Sequence, residues 1–555
     1  MSTSNTQSSS RKSLFEILQG IAKEVDWRKA RGKRHPLEYI LFLYLLGQIL
    51  GIVSYRGIVK YFSDPNVLEA LRPFITFEHG IPSPAMFSRT FSTISHACMV
   101  PEICDWILQL LPPSPDGRPH LAIDGKALRA AINKALHGSG LYIVNVFNVS
   151  LNIMVYMMRV GRKTNEASAI ENEIRSILYN EHAIVTMDAM GTHSAILQQI
   201  VDVGSDYIAP VKANQKSLME GIESYIVNLV LSMSDVVDNH VDLNGHSEEE
   251  APGRVIENTR CHIVDEDNSS AGDYASSEEK TDNADPSSNL EATESNPDTV
   301  LPVPDVDPNL TSTDSSMDSD NHSSAESAET KVLDERKDTT RGFKFFDDAF
   351  HYVDLSSFDP ETLDPNNKTL VYFKVGNRLI PMASSHGRFE RREYQYVTLT
   401  PAMKLELLKD LDSDEWRSIQ SICLCTRYRA VLKRDAKTKQ LYYDLTITRT
   451  PYILSYQADA KSAGYEIRRH WAVEVFHHCL DSVFKEDQCT VRSGCGPENV
   501  SFFKKLAYNI IRVCYGKDDT GDVTNIEAIQ NSFKVTGFSR IVNMIMNPWN
   551  PTASA

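Results

Sequence analysis

Apolar side chains recur at helical spacing through the first hundred or so residues. LFEILQGIA, the run from 36 to 54, YRGIVKYF and VPEICDWILQLL each predict a helix within residues 11–112. In 81-IPSPAMFSRTF-91, Ser83 suits an N-cap and Pro84 the first helical position, so a short helix showing Arg89 is expected. Two readings of that helix fit: the second helix of a DNA-binding unit, or one member of a packed bundle. From residue 120 the period shortens. Strands are expected at 121–124, 141–149, 153–160, 183–188 and 206–212, with helices over 165–179, 193–203 and from about 215 to 231. This order describes an α/β protein with a mixed sheet. Farther on, 369–375, 395–400, 418–433 and 441–448 read as strands of an antiparallel β-rich insert. Helices are then expected over 459–484 and 498–515.

Between these halves the periodicity vanishes. Residues 240–340 are rich in Ser, Asp, Glu, Asn and Pro and nearly empty of aromatics, so they cannot bury enough apolar surface to offset their ordering entropy. A disordered acidic insertion is expected there, tolerated because long surface loops cost little closure entropy. The expected organisation is a disordered tail at 1–12, a helical domain at 13–115, and a core whose two parts are 116–235 and 456–550. The acidic segment and a β-rich insertion at 343–455 lie between those parts.

Charge changes the picture only once it is located. The chain of 555 residues has a formal net charge of −17, which taken whole argues against a nucleic-acid partner. Residues 231–340, however, hold 28 Asp and Glu against 6 Lys and Arg, leaving 46 acidic and 51 basic residues elsewhere, a net of +5. The nine Cys form no CxxC pair, so neither a zinc ribbon nor a disulfide framework is indicated, and a reducing compartment fits. The start, MSTSNTQSSSRKS, has no apolar core of a signal peptide. The longest apolar run, 40-ILFLYLLGQILGIV-53, falls short of the roughly 20 residues that span a bilayer. A soluble protein with no membrane partner is expected.

The candidate chemistry lies in carboxylates. Asp124 and Asp188 each end an expected strand, where an open α/β sheet places its sites, although Asp124-Gly125 is also a common turn pair. In 467-IRRHWAVEVFHH-478, a helical repeat puts His470, Glu474, His477, His478 and Asp481 on one arc, with Val473, Phe476, Leu480 and Val483 on another. The His and Glu spacing permits a zinc site, yet the HExxH pattern is absent. Solvated helix polarity is a further reading. Three converging carboxylates would instead suit Mg²⁺ or Mn²⁺, and two such ions can clamp both oxygens of an in-line phosphoryl transfer.

These motifs resemble the DDE transposases of bacterial insertion sequences, specifically the H-repeat-associated protein type within the retroviral-integrase-like, RNase H-like superfamily. The resemblance is carried by 31-RGKRHPLEYIL-41, 81-IPSPAMFSRTF-91, 122-AIDGKALR-129, 163-KTNEASAI-170, 184-IVTMDAMGTH-193, 206-DYIAPVKANQ-215, 467-IRRHWAVE-474, 484-FKED-487 and 497-PEN-499. It covers nearly the whole chain outside the tail and the acidic segment. It implies an RNase H-like fold with Asp124, Asp188 and Glu474 as the catalytic triad and metal ligands. Relatives usually carry Asn directly after the glutamate and an aromatic a few residues on, where this chain has Val475 and Cys479.

The implied activity is DNA cleavage and strand transfer with two Mg²⁺ or Mn²⁺ ions. The implied partners are DNA, at element ends and target, and further copies of the chain, as a homodimer or larger synaptic assembly. The location would be cytoplasmic with the nucleoid in a bacterium, or nuclear in a eukaryote. A transposase-derived DNA-binding protein and an RNase H-like nuclease are the alternatives. Basic residues beside the motifs are the expected DNA contacts: Arg31, Lys33, Arg34, Arg89, Lys126, Arg129, Lys163, Lys212, Arg468, Arg469 and His470. The acidic segment could compete with DNA for that surface or be a neutral insertion.

Overall fold

A computed structural model describes residues 12–29, 33–110, 117–128, 141–160, 166–178, 181–212, 215–237, 254–256, 259–263, 343–344, 350–354, 370–375, 378–385, 388–409, 415–515, 525–534 and 538–546. The expected tail, apart from Lys12, and most of the acidic segment lie outside these residues.

Six helices come first: α1 (Leu14–Val25), α2 (Leu37–Ile49), α3 (Tyr55–Phe62), α4 (Pro65–Leu71), α5 (Pro84–Thr93) and α6 (Val100–Leu110). Local chemistry fixes their starts. Ser13 and Glu16 form a reciprocal capping box on α1, and the Ser83 hydroxyl accepts from the Met86 amide at the start of α5. Helix α2 is apolar on every side and correspondingly buried along nearly its whole length.

The sheet begins with β1 (His120–Leu128), β2 (Leu141–Asn148) and β3 (Ile153–Arg159), then α7 (Glu166–Ile177), β4 (Ile184–Met187), α8 (Ser194–Asp202), β5 (Asp206–Pro210) and α9 (Lys216–Val237). Its order is β3-β2-β1-β4-β5, with β2 antiparallel to β1 and β3, and β1, β4 and β5 mutually parallel. This is the RNase H-like arrangement. Short strands follow, β6 (Arg254–Ile256), β7 (Thr259–Ile263), β8 (Phe343–Lys344) and β9 (Phe350–Asp354). Longer ones come next: β10 (Leu370–Val375), β11 (Arg378–Ser385) and β12 (Arg388–Thr398), then α10 (Pro401–Leu407), β13 (Ser421–Arg434) and β14 (Leu441–Leu454). Strand β14 pairs antiparallel with β5, so the insertion extends the core sheet. The chain closes with α11 (Ala460–Arg469), α12 (Trp471–Ser482), α13 (Gly496–Tyr515), α14 (Ile526–Ser532) and α15 (Phe538–Met546).

Three expectations need correction. Strand β1 does not stop at Asp124: Gly125 pairs with Val144 and the ladder runs on to Leu128, so the Asp-Gly pair is strand and not turn. The helix expected over 459–484 is two helices meeting at His470. Within the span expected to be disordered, β6 and β7 pair in parallel with β10 and β14, because their β-branched and apolar residues can complete the insertion's sheet.

The N-terminal helices share their core with the sheet and with α13. Leu45 and Leu46 of α2, Phe91 of α5 and Trp106 of α6 share one cluster with Phe147 and Met157 of the sheet and Phe503 and Leu506 of α13. Helix α5 is thus a bundle member: Asn499 donates to the carbonyls of Phe91 and Ile94 at its end, at 2.6 and 2.7 Å. A second cluster, with Leu121, Ile123, Val185 and Met187, covers the opposite sheet face under α7, α8 and α9. The sheet is therefore sandwiched, and its ends are free to carry a site.

Candidate active site

Asp124 sits mid-strand on β1, Asp188 directly after β4, and Glu474 in the first turn of α12. Strands β1 and β4 are adjacent and parallel, with Ala122 opposite Thr186. The pleat therefore puts His120, Ala122 and Asp124 on the same face as Thr186. Helix α12 covers that face by burying Val473, Phe476 and Leu480, worth about 1.5–3 kcal/mol each. Phe476 stacks on Phe147 of β2, with ring centroids 4.9 Å apart. That seat lays α12, with Glu474 in its first turn, over the sheet face carrying Asp124.

The three carboxylates differ in their electrostatics. Enclosure in the cleft pushes the Glu474 carboxyl up to about 7, and the negative charges of Asp124 and Asp188 add to the rise, while Arg468 and Lys212 oppose it. Because the Glu474 side chain still reaches solvent, part of that rise is screened. Asp124 moves the other way. Burial alone would raise it, but His477, His470 and the Gly125 amide together hold it below the ordinary carboxylate range. The His477 ring lies with Nδ1 3.2 Å from Asp124 Oδ2 and Nε2 2.9 Å from the side-chain nitrogen of the fully buried Asn145. Since that amide donates, Nε2 must accept and Nδ1 carries the proton toward Asp124. Asp188 is anchored by the Ala189 amide at 2.6 Å, with Lys212 3.9 Å away.

Among the described residues, no group of three or more His, Cys, Asp or Glu is gathered tightly enough to hold a metal ion. The donor set nevertheless suits a hard divalent cation. It offers carboxylate oxygens, and the mutual repulsion at Glu474 is a strain that a cation among them would relieve. A zinc site at the histidines fits less well, because His470 and His477 are already engaged by Thr186, and by Asn145 and Asp124.

The expected DNA contacts divide. Arg31, Arg129 and Lys163 lie outside the described residues. Arg34 and Arg89 are exposed, Lys33 lies 3.4 Å from Asp26, and Arg468 sits over the Trp471 ring beside Glu474. Arg469 is engaged within the fold, donating to Ser150 and lying over Tyr465. Lys126 and His470 have partners within the fold. Lys126 is 8% exposed, with Nζ 2.6 Å from Asp481 and 2.7 Å from Glu486. His470 is bound through Nδ1 to Thr186. Both face inward because their elements pack there, and adjacency to a motif does not report this. Asn145, the lone polar residue of IVNVF, was the one available hint of a buried polar contact near the site.

A family model described as DDE_Tnp_1-associated matches residues 18–107. The putative transposase YncI of Escherichia coli K12 is 29% identical over 253 residues, covering 45% of this chain and 96% of that one. From the same organism, the putative protein YbfL is 27% identical and the H repeat-associated putative transposase YhhI 26% identical, each over 257 residues. Each of those two matches takes in 46% of this chain and 65% of the relative, just under two thirds. A piggyBac transposase synaptic complex with hairpin DNA overlaps at 10% identity and a TM-score of 0.32, covering 96% of this chain and 78% of that one, too loosely to define a shared fold.

Proposed function

We propose that this chain, similar to putative transposases that include an H repeat-associated one, is a DNA transposase using Asp124, Asp188 and Glu474 for metal-dependent strand cleavage and transfer. The observation carrying this reading is that α12, which bears Glu474, packs on the sheet where β1 and β4 carry Asp124 and Asp188, with its His477 Nδ1 3.2 Å from Asp124, although the three carboxylates lie far apart in sequence.

In this reading the three carboxylates would hold two Mg²⁺ or Mn²⁺ ions, which supply charge stabilisation for the attacking and leaving oxygens of the phosphodiester. The chain's own part is placement. Strands β1 and β4 fix the aspartates on a rigid sheet, and α12 presents the glutamate. His477 donates to Asp124 and holds one of its oxygens in a set orientation. Lys212 and Arg468 supply positive charge beside the carboxylates, where a phosphate would lie. Relatives named as transposases support DNA as the substrate class.

The test uses the full-length protein with a supercoiled plasmid carrying the DNA that flanks its coding region, with Mg²⁺ or Mn²⁺. Metal-dependent nicking at the element ends and strand-transfer products are expected, and Asp124→Asn, Asp188→Asn and Glu474→Gln should each reduce both to background. Cleavage without strand transfer would instead indicate a nuclease. DNA binding with no metal-dependent cleavage by the unmutated chain would indicate a binding protein.

A further inference from the structure

Behind the three carboxylates lies a second tier of polar residues. The buried Thr186 hydroxyl is 2.9 Å from His120 Nε2 and also 2.9 Å from His470 Nδ1. On its other side, His120 Nδ1 lies 2.6 Å from Glu466 Oε2. The four residues come from β4, β1, the α11–α12 junction and α11. His120 and Thr186 are almost completely buried, so each hydrogen bond left unmade there would carry a desolvation cost of about 1–3 kcal/mol.

The proton order follows from the contacts. Nδ1 of His120 must carry its proton, because a lone pair 2.6 Å from a carboxylate oxygen would be repelled. Its Nε2 is then the acceptor, and the Thr186 hydroxyl donates to it. That leaves the Thr186 oxygen to accept from His470 Nδ1–H. Burial lowers the pKa of His120 and His470, the latter to about 4, in keeping with two neutral rings. The chain therefore has one direction, His470 to Thr186 to His120, and ends on Glu466.

Three of the four members also share a face of their own element with a carboxylate of the site. His120 precedes Asp124 by four on β1, Thr186 precedes Asp188 by two at the end of β4, and His470 precedes Glu474 by four. These are same-face spacings in strand and helix. We propose that Glu466, His120, Thr186 and His470 form a positioning tier that fixes the junction of α11 and α12 against β1 and β4. Glu474 is thereby set at its working distance from Asp124 and Asp188. Thr186 is the joint, since it alone binds both imidazoles. This inference rests on the triad proposed above and goes beyond it by naming residues that touch neither metal nor DNA.

Thr186→Val keeps the shape and strand preference of the side chain and removes both hydrogen bonds; Thr186→Ser restores the hydroxyl. Binding of Mn²⁺ alone, without DNA, would be measured by electron paramagnetic resonance on the full-length proteins. Thr186→Val should weaken Mn²⁺ binding by about 10–100-fold, and Thr186→Ser should recover most of it. In the metal-free protein, amide exchange across 470–474 should quicken in Thr186→Val. A second pair avoids dependence on one folded variant: His470→Leu should weaken Mn²⁺ binding, and His470→Asn, whose amide can still donate to Thr186, should retain more. Wild-type Mn²⁺ binding in Thr186→Val and His470→Leu, with binding lost in Asp124→Asn, would overturn the tier and leave the triad standing. Undiminished binding in Asp124→Asn would overturn both.

Discussion

Glu486 is fully enclosed, receiving Lys126 at 2.7 Å and the Ser501 hydroxyl at 2.7 Å, with Lys505 buried nearby. Replacing it with Gln would leave Lys505 uncompensated and Lys126 facing Asp481 alone, so Glu486→Gln should cost about 3–5 kcal/mol. The pH dependence has a definite sign. Burial would raise this carboxyl, but Lys505, Lys126 and Ser501 overcome it and hold it at about 2 instead of 4.5. Its contribution is therefore complete above about pH 4.5 and disappears as pH falls toward 2. Urea midpoints of wild type and Glu486→Gln should differ widely at pH 7 and converge across that window. A gap that stays constant with pH would refute the assignment. None of this is legible in 484-FKED-487, because Lys126 lies some 360 residues upstream. A single sequence records residue types, not partners across such separations.

Periodicity specifies elements better than their ends. The strand and helix order through β1 to α9, and the burial of Val473, Phe476 and Leu480 on α12, follow from period alone, since a half-buried element must alternate. What period cannot show is how one element meets another. Gly494 has φ +54°, and a Cβ there would fall 2.0 Å from the Ser92 carbonyl oxygen. That carbonyl, near the end of α5, accepts the Cys495 amide at 3.0 Å. Gly494→Ala should therefore destabilise by more than about 1 kcal/mol. Asn499→Ala, by stranding the carbonyls of Phe91 and Ile94, should cost about 1–3 kcal/mol for each one left unpaired. Thermal unfolding of the full chain measures both. Unchanged midpoints would mean that α5 is not held by α13.

At the scale of the molecule, charge is segregated. Residues 264–340 carry 21 Asp and Glu against 4 Lys and Arg, a net of −17 that equals the formal charge of the entire chain. Deleting them retains β6 and β7 and leaves a formally neutral protein. If that acidity competes with DNA for the basic surface, the deletion variant should bind duplex DNA more tightly at about 50 mM salt, with the gain shrinking by about 200 mM. Equal affinities at low salt would dispose of competition. Fold class was legible at this scale because two polar-apolar periods alternate in an order that few sheets satisfy. Long-range cover was not, since nothing local in LFLYLLGQIL says that a helix beyond residue 495 packs on it.

That cover sets a schedule on the ribosome. Helix α2 leaves the exit tunnel with an apolar surface all round, and α13, one of its main partners, follows only after residue 495. At about 5–20 residues per second, α2 waits roughly 20–90 s for that partner. During the wait it is a target for holding chaperones and proteases. Chains that end early, by frameshift or premature stop, never complete the cluster and should be cleared before they accumulate. A product that stops between 475 and 495 would carry Asp124, Asp188 and Glu474 and still lack α13, so its level in cells tests whether the missing cover alone is enough for clearance.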